Sequence, residues 1–162
     1  MTLQVALVGT DGIVLASDRK NIQPASTQAK GRQSSITTKI AINKANKIAV
    51  AWAGHEVAEI IGKEILLHSQ DSDWEYPLSG IQSIGEAVYQ KTKTNFPQGD
   101  RIEGEVIVVL AGVLSKFYAV RISPDLCTCN PYFDKRVTGD MDNPAIYFTE
   151  AYYQKTSISR AC

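Results

Sequence analysis

The chain has 162 residues, with 17 Lys+Arg balancing 17 Asp+Glu, and 44% of its residues are hydrophobic against 21% charged. A chain of this size buries roughly 69% of its unfolded surface on folding, which supports one core and predicts a single domain over 1–162. The composition excludes disordered and collagen-like classes. The zero net charge argues against a nucleic-acid partner, since the densest basic stretch, Lys39 to Lys47, holds only three lysines; it favours self-association instead.

The elements follow in chain order. Gln4 to Gly9 reads as a strand, and Ile13 to Ala16 as its partner across Thr10-Asp11-Gly12, where Asp-Gly is expected to supply the positive φ of a tight hairpin. Asn21 to Ser35 is rich in Gln, Ser, Ala and Gly and reads as a loop. Lys39 to Asn43 and Lys47 to Trp52 form a second strand pair. After Gly54 the period changes: Val57, Ile60, Ile61, Ile65 and Leu66 make a helical stripe opposed by Glu56, Glu59, Lys63 and Glu64. A second helix is expected through Ile81, Ile84, Ala87 and Val88, with Ser79 as N-cap. Glu105 to Gly112 and Lys116 to Ile122 return to strand, and Pro144 to about Lys155 reads as a last helix with Pro144 in its first turn. Strands, a helix pair, strands and a helix predict two sheets with helices on their outer faces.

The apolar run Val5 to Val8 is too short for a signal-peptide core, and no stretch reaches the roughly 20 apolar residues of a membrane span, so a cytoplasmic protein without membrane contact is expected. Cys127, Cys129 and Cys162 are read as free thiols. Cys127-Thr128-Cys129 has no ligand partners at metal-site spacing, His55 and His68 lying far upstream, so no metal and no cofactor are expected. No Gly-rich phosphate loop is present.

Chemistry gathers at the start. Removal of Met1 by methionine aminopeptidase, which accepts a small second residue, would leave Thr2 at the N-terminus. Its Oγ1 is then a nucleophile and its α-amine a base. The hairpin returns Asp18 beside the first strand's start, and a carboxylate there can hold a lysine such as Lys39. An ammonium near the hydroxyl lowers its effective pKa. Lys30 is the competing lysine, in polar loop sequence, and the choice of Lys39 rests on the strand that follows it.

Thr2-Leu3-Gln4-Val5-Ala6-Leu7 with Asp11 to Lys20, then Lys39-Ile40, Ala51-Trp52-Ala53-Gly54 opening a helix, and Val137-Thr138-Gly139 resemble the proteasome β-type subunits and the related HslV proteases, N-terminal nucleophile (Ntn) hydrolases. The sixteen-residue step from Thr2 to Asp18 is the most specific part, and the resemblance runs from residue 2 to about 155. It implies an α+β fold, a four-layer αββα sandwich of antiparallel sheets, in a bacterial proteasome homologue. It implies a threonine endopeptidase acting through an acyl-enzyme, with Thr2 as nucleophile, Asp18 orienting, Lys39 as charged partner and the Gly54 N–H as oxyanion donor. Ile22, Trp52 and Glu56 would line the substrate pocket. Residues of these types are more often core, for Trp52, and solvated first-turn positions, for Glu56, while Gly54 would be a strand-to-helix turn in either case. Gly139 and Asp140 would lie near the nucleophile. The resemblance also implies a homo-oligomeric ring or double ring, polypeptide substrates and a ring-shaped ATPase unfoldase.

Three departures accompany the match. The loop between Asp18 and Lys39 is longer than usual; Asp140 stands where the family typically has a serine; and family members continue past Cys162, so the C-terminal part of the sandwich is expected to be cut short. An attached Met1 would turn the α-amine into an amide. Two further readings therefore stand beside the protease: a non-catalytic structural subunit of such a ring, and a small-amide hydrolase on the same scaffold.

Overall fold

A computed structural model describes residues 3–22, 34–69, 76–96, 102–113 and 115–139 and the single positions 146, 149 and 151. The elements are β1 (Leu3–Val8), β2 (Ile13–Ser17), β3 (Lys20–Ile22), β4 (Ser34–Ile36), β5 (Ile40–Asn43), β6 (Ile48–Gly54), α1 (Glu56–His68), α2 (Pro77–Thr92), β7 (Gly104–Leu110), β8 (Phe117–Ile122), β9 (Cys127–Tyr132) and β10 (Lys135–Gly139). They assemble into an antiparallel five-stranded sheet, β5-β6-β7-β8-β9, an antiparallel three-stranded sheet, β10-β1-β2, and a two-stranded β3-β4 ribbon.

Side-chain alternation sets the layers. On β1, Gln4, Ala6 and Val8 are buried and the residues between them only partly so. Ala6 and Val8 meet Ile107 of β7 and Phe117 of β8 in a core between the two larger sheets. The opposite face of the five-stranded sheet, carrying Ile48, Val50, Trp52, Val106, Val108, Val120 and Ile122, packs on Val57, Ile61 and Ile65 of α1 and Ile81 and Tyr89 of α2. The architecture is thus an α+β sandwich of helices, sheet and sheet. Gly62 lets α1 approach closely: a Cβ there would sit 3.2 Å from the Trp52 ring.

Several local expectations are revised. The β1–β2 hairpin forms with Val8 opposite Ile13, yet Gly12 is absent from the positive-φ residues. The connection is a four-residue turn closed by Gly9 N–H donating to the Gly12 carbonyl at 2.8 Å, long enough to turn without left-handed backbone. The ends of the expected loop at Asn21 to Ser35 pair as β3 and β4, with residues 23–33 outside the described set. α2 starts two residues before Ser79, with Pro77 at its first position; the Ser79 hydroxyl donates back to the Tyr76 carbonyl at 3.1 Å instead of capping. β9 and β10 follow where no strand was expected. Of the last expected helix, Ile146, Thr149 and Ala151 are helical, and the remainder lies outside the described residues.

Cys127 and Cys129 are free and buried on β9. Burial, with Glu86 nearby, pushes the Cys127 thiol up to about 11, and burial with Cys127 alongside pushes Cys129 up to about 12. Cys162 lies outside the described residues. Among the described residues no cluster of His, Cys, Asp or Glu is arranged to hold a metal, and no helix is long and apolar enough to cross a membrane.

Candidate active site

The hairpin geometry decides what surrounds the chain's start. Leu3, the first residue of β1, sits opposite Gly139 of β10 on one side. On the other side its carbonyl accepts the Asp18 N–H at 2.9 Å and the Ser17 hydroxyl at 3.2 Å. Asp18 and Gly139 therefore flank the residue that follows Thr2. The Arg19 carbonyl accepts the Thr37 N–H at 2.8 Å, which holds the segment after β2 beside the segment entering β5.

That second segment delivers Lys39. Its Nζ donates to Asp18 Oδ1 at 2.7 Å, with the lysine side chain 7% exposed and the aspartate 30%. An ammonium so deeply placed needs an opposite charge, and Asp18 supplies it. The pairing expected between these two residues is present. Lys30 lies outside the described residues.

Gly54 closes the group. The Trp52 N–H donates to the Lys39 carbonyl at 3.1 Å, whereas the His55 N–H donates to the carbonyl of Glu103, directly before β7, at 2.8 Å. In an antiparallel strand successive N–H groups alternate sides. The Gly54 N–H consequently points away from β7 and toward the Lys39 side, two residues or about 7 Å beyond the Trp52 bond, past the start of β5. The glycine is required on steric grounds alone. Its φ is +93°, and a Cβ would lie 2.4 Å from the Glu103 carbonyl oxygen and 2.6 Å from Gly104 Cα. The turn into α1 is then capped by His55, whose Nδ1 accepts the Val57 N–H at 3.3 Å and whose ring meets Phe96 edge-on at 4.6 Å.

The other expected residues distribute as follows. Trp52 neighbours Lys39 along the backbone, and its indole, 8% exposed, belongs to the core beneath α1. Glu56 is exposed at the first position of α1. Ile22 ends β3. Thr2 and Asp140 lie outside the described residues, each one residue beyond the Leu3–Gly139 pair.

One group was not anticipated. Glu105, 2% exposed, receives both Arg136 Nε at 2.9 Å and Arg136 Nη2 at 2.5 Å, together with the Thr138 hydroxyl, and its own carbonyl accepts Gln4 Nε2 at 3.3 Å. Its signal in the sequence was a lone carboxylate opening an otherwise β-branched run.

No protein-family model matches the sequence, and no curated protein matches it. Solved structures do. Anbu (ancestral β-subunit) from Yersinia bercovieri superposes with a TM-score of 0.66 at 12% identity, covering 98% of this chain and 69% of that one. The Anbu complex from Pseudomonas aeruginosa, solved as a helical assembly, gives 0.64 at 15% identity with coverages of 98% and 69%. BPH from Thiobacillus denitrificans, in complex with epoxomicin, gives 0.59 at 13% identity with coverages of 99% and 86%. At such identities the likeness is one of fold: the chain has the α+β sandwich of proteasome-like proteins.

Proposed function

We propose that the chain is a threonine-type endopeptidase subunit of a self-compartmentalising, proteasome-like assembly, working in the cytoplasm on polypeptides through Thr2 after Met1 is removed. The observation that carries this reading is the Lys39–Asp18 ion pair at 2.7 Å, its lysine buried, held beside Leu3, the residue directly after Thr2.

In the proposed reaction Thr2 Oγ1 attacks the scissile carbonyl carbon and its proton passes to the α-amine, directly or through a water. The Lys39 ammonium, kept charged and aimed by Asp18, stabilises the developing alkoxide. The Gly54 N–H donates to the oxyanion of the tetrahedral intermediate, an interaction commonly worth about 3 kcal/mol. Collapse breaks the C–N bond, the leaving amine takes the proton, and an ester to Thr2 remains. Water, deprotonated by the same α-amine, then releases the acid. Trp52, Glu56 and Ile22 are the proposed pocket residues. Self-assembly is supported by the neutral charge and by the oligomeric Anbu neighbour. The HslV-like alternative within the family and an ATPase unfoldase partner rest on the sequence resemblance alone.

A peptide epoxyketone tests this reading, because its ketone takes the hydroxyl and its epoxide takes the amine. The assembled, Met1-free protein is expected to gain one inhibitor mass on Thr2 by peptide mapping. No adduct on a correctly trimmed assembly overturns the catalytic assignment. The non-catalytic subunit reading draws on Asp140, a carboxylate that would hold the α-amine protonated. N-terminal sequencing separates the two, since a structural subunit needs no free Thr2.

A further inference from the structure

We propose that Glu105 is a positioning residue for the nucleophile: its buried carboxylate clamps β10 and β1 onto the end of the five-stranded sheet that carries Gly54, and so sets where Thr2 stands relative to Lys39 and the oxyanion donor. This rests on the reading of Thr2 as nucleophile.

The placement argues for it. Glu105 lies opposite Ala53 on β6, one residue from the Gly54–Gly104 pair. Its side chain leaves the five-stranded sheet on the face toward the other sheet, as Ile107 does two residues on. There it meets Arg136 and Thr138, which lie opposite Ala6 and Gln4 on β1. Gln4, fully buried and two residues after Thr2, donates to the Glu105 carbonyl. One residue thereby touches β1, which carries the N-terminus, and β10 beside it, and lies on the strand paired with Gly54.

The chemistry argues for a positioning role over plain cohesion. Beside it the interface continues in an apolar cluster of Ala6, Val8, Ile107 and Phe117. A hydrophobic residue at 105 could continue it, and buried ion pairs are frequently no more stabilising than apolar replacements. What a bidentate Arg–carboxylate pair adds is direction, fixing two strands at set distance and angle. The arrangement also leaves Gln4 Oε1 buried with no partner among the described residues, a cost of the kind concentrated at functional sites. β1 and β7 belong to different sheets, so at this end their direct link among the described residues is the bond from the Gln4 side chain to the Glu105 carbonyl.

The test compares Glu105→Gln with Val8→Ala, which loosens the same interface at the far end of β1. Two quantities are read on the full, Met1-free chain: the maximal rate and half-saturating concentration of epoxyketone inactivation, and hydrogen exchange over residues 3–8. A displacement of about 1 Å costs about 10²-fold in rate. Glu105→Gln is therefore expected to slow the inactivation step about 10²-fold with half-saturation changed no more than about twofold, and to speed exchange at residues 3–5. Val8→Ala is expected to leave the inactivation rate within about threefold of the wild type. Thr138→Val, which removes one donor and keeps the charge pair, serves where Glu105→Gln does not fold, with a smaller effect in the same direction. Equal slowing by Val8→Ala, or no slowing by Glu105→Gln or Thr138→Val, overturns the proposal. A wild-type chain that takes no inhibitor overturns the Thr2 reading instead, and exchange then decides: selective loosening at residues 3–5 in the Glu105 or Thr138 variant supports the clamp, and a pattern equal to that of Val8→Ala overturns it.

Discussion

Lys39 and Asp18, 21 residues apart and delivered by separate segments, meet as an electrostatic device. Lys39 is almost fully buried while Asp18 keeps contact with solvent, so the lysine depends on the aspartate more than the reverse. Asp18→Asn retains shape and removes charge; it is expected to cost about 1–3 kcal/mol in urea unfolding. Lys39→Met is expected to lower peptide hydrolysis about 10³-fold while the protein stays folded. The cysteines give a pH signature with the opposite logic. Both thiols resist ionisation more in the folded chain than in the unfolded one, from an ordinary 9.0 to about 11 for Cys127 and about 12 for Cys129. The unfolded state therefore releases those protons first as pH rises. Their contribution is fully present below about pH 9 and is lost as pH climbs through 11 to 12. Urea midpoints measured at pH 8 and pH 10.5 are expected to fall less for a Cys127→Ala/Cys129→Ala variant than for the wild type.

At the scale of elements, the turn between β6 and α1 concentrates the constraints. Gly54→Ala combines a left-handed φ with a Cβ driven against the Glu103 carbonyl, and is expected to destabilise by more than 2 kcal/mol, roughly twice a typical point change. His55→Ala removes the cap on the Val57 N–H and is expected to cost about 1 kcal/mol, with His55→Asp restoring it. Thermal denaturation of the three variants checks both. The helices were legible because α1 and α2 bury one stripe each, and β1, β2, β5 to β8 because their residues are β-branched or alternate. β9 was not: Cys127-Thr128-Cys129-Asn130-Pro131-Tyr132 lacks a strand signal, and it tolerates Pro131 because it is the sheet's outer strand. β10 owes its existence to pairing with β1, more than a hundred residues away in sequence, which no local pattern encodes. Asp18 was readable from hairpin register and Lys39 from the strand that follows it, whereas the Glu105 clamp was not, since Glu105, Arg136 and Gln4 meet only once two sheets stack.

For the whole molecule, the sandwich gathers the Lys39–Asp18 pair and the Leu3–Gly139 pair at one end and leaves Leu67, Tyr76 and Leu78 exposed on its helical layer. With no net charge to oppose association, sedimentation at micromolar concentration is expected to show species well above the 17.7 kDa monomer. A monomer throughout would favour the small-amide hydrolase reading over the chambered protease. The proposed function turns on one step, cleavage of peptide bonds by Thr2, exposed by loss of Met1 and served by Lys39, Asp18 and Gly54. Its most direct measurement is hydrolysis of a fluorogenic peptide by the Met1-free chain and by its Thr2→Ala variant. Turnover by the first and a loss of at least about 10³-fold in the second are expected; equal rates in the two, or no turnover by an assembled and trimmed wild type, would overturn the assignment of Thr2.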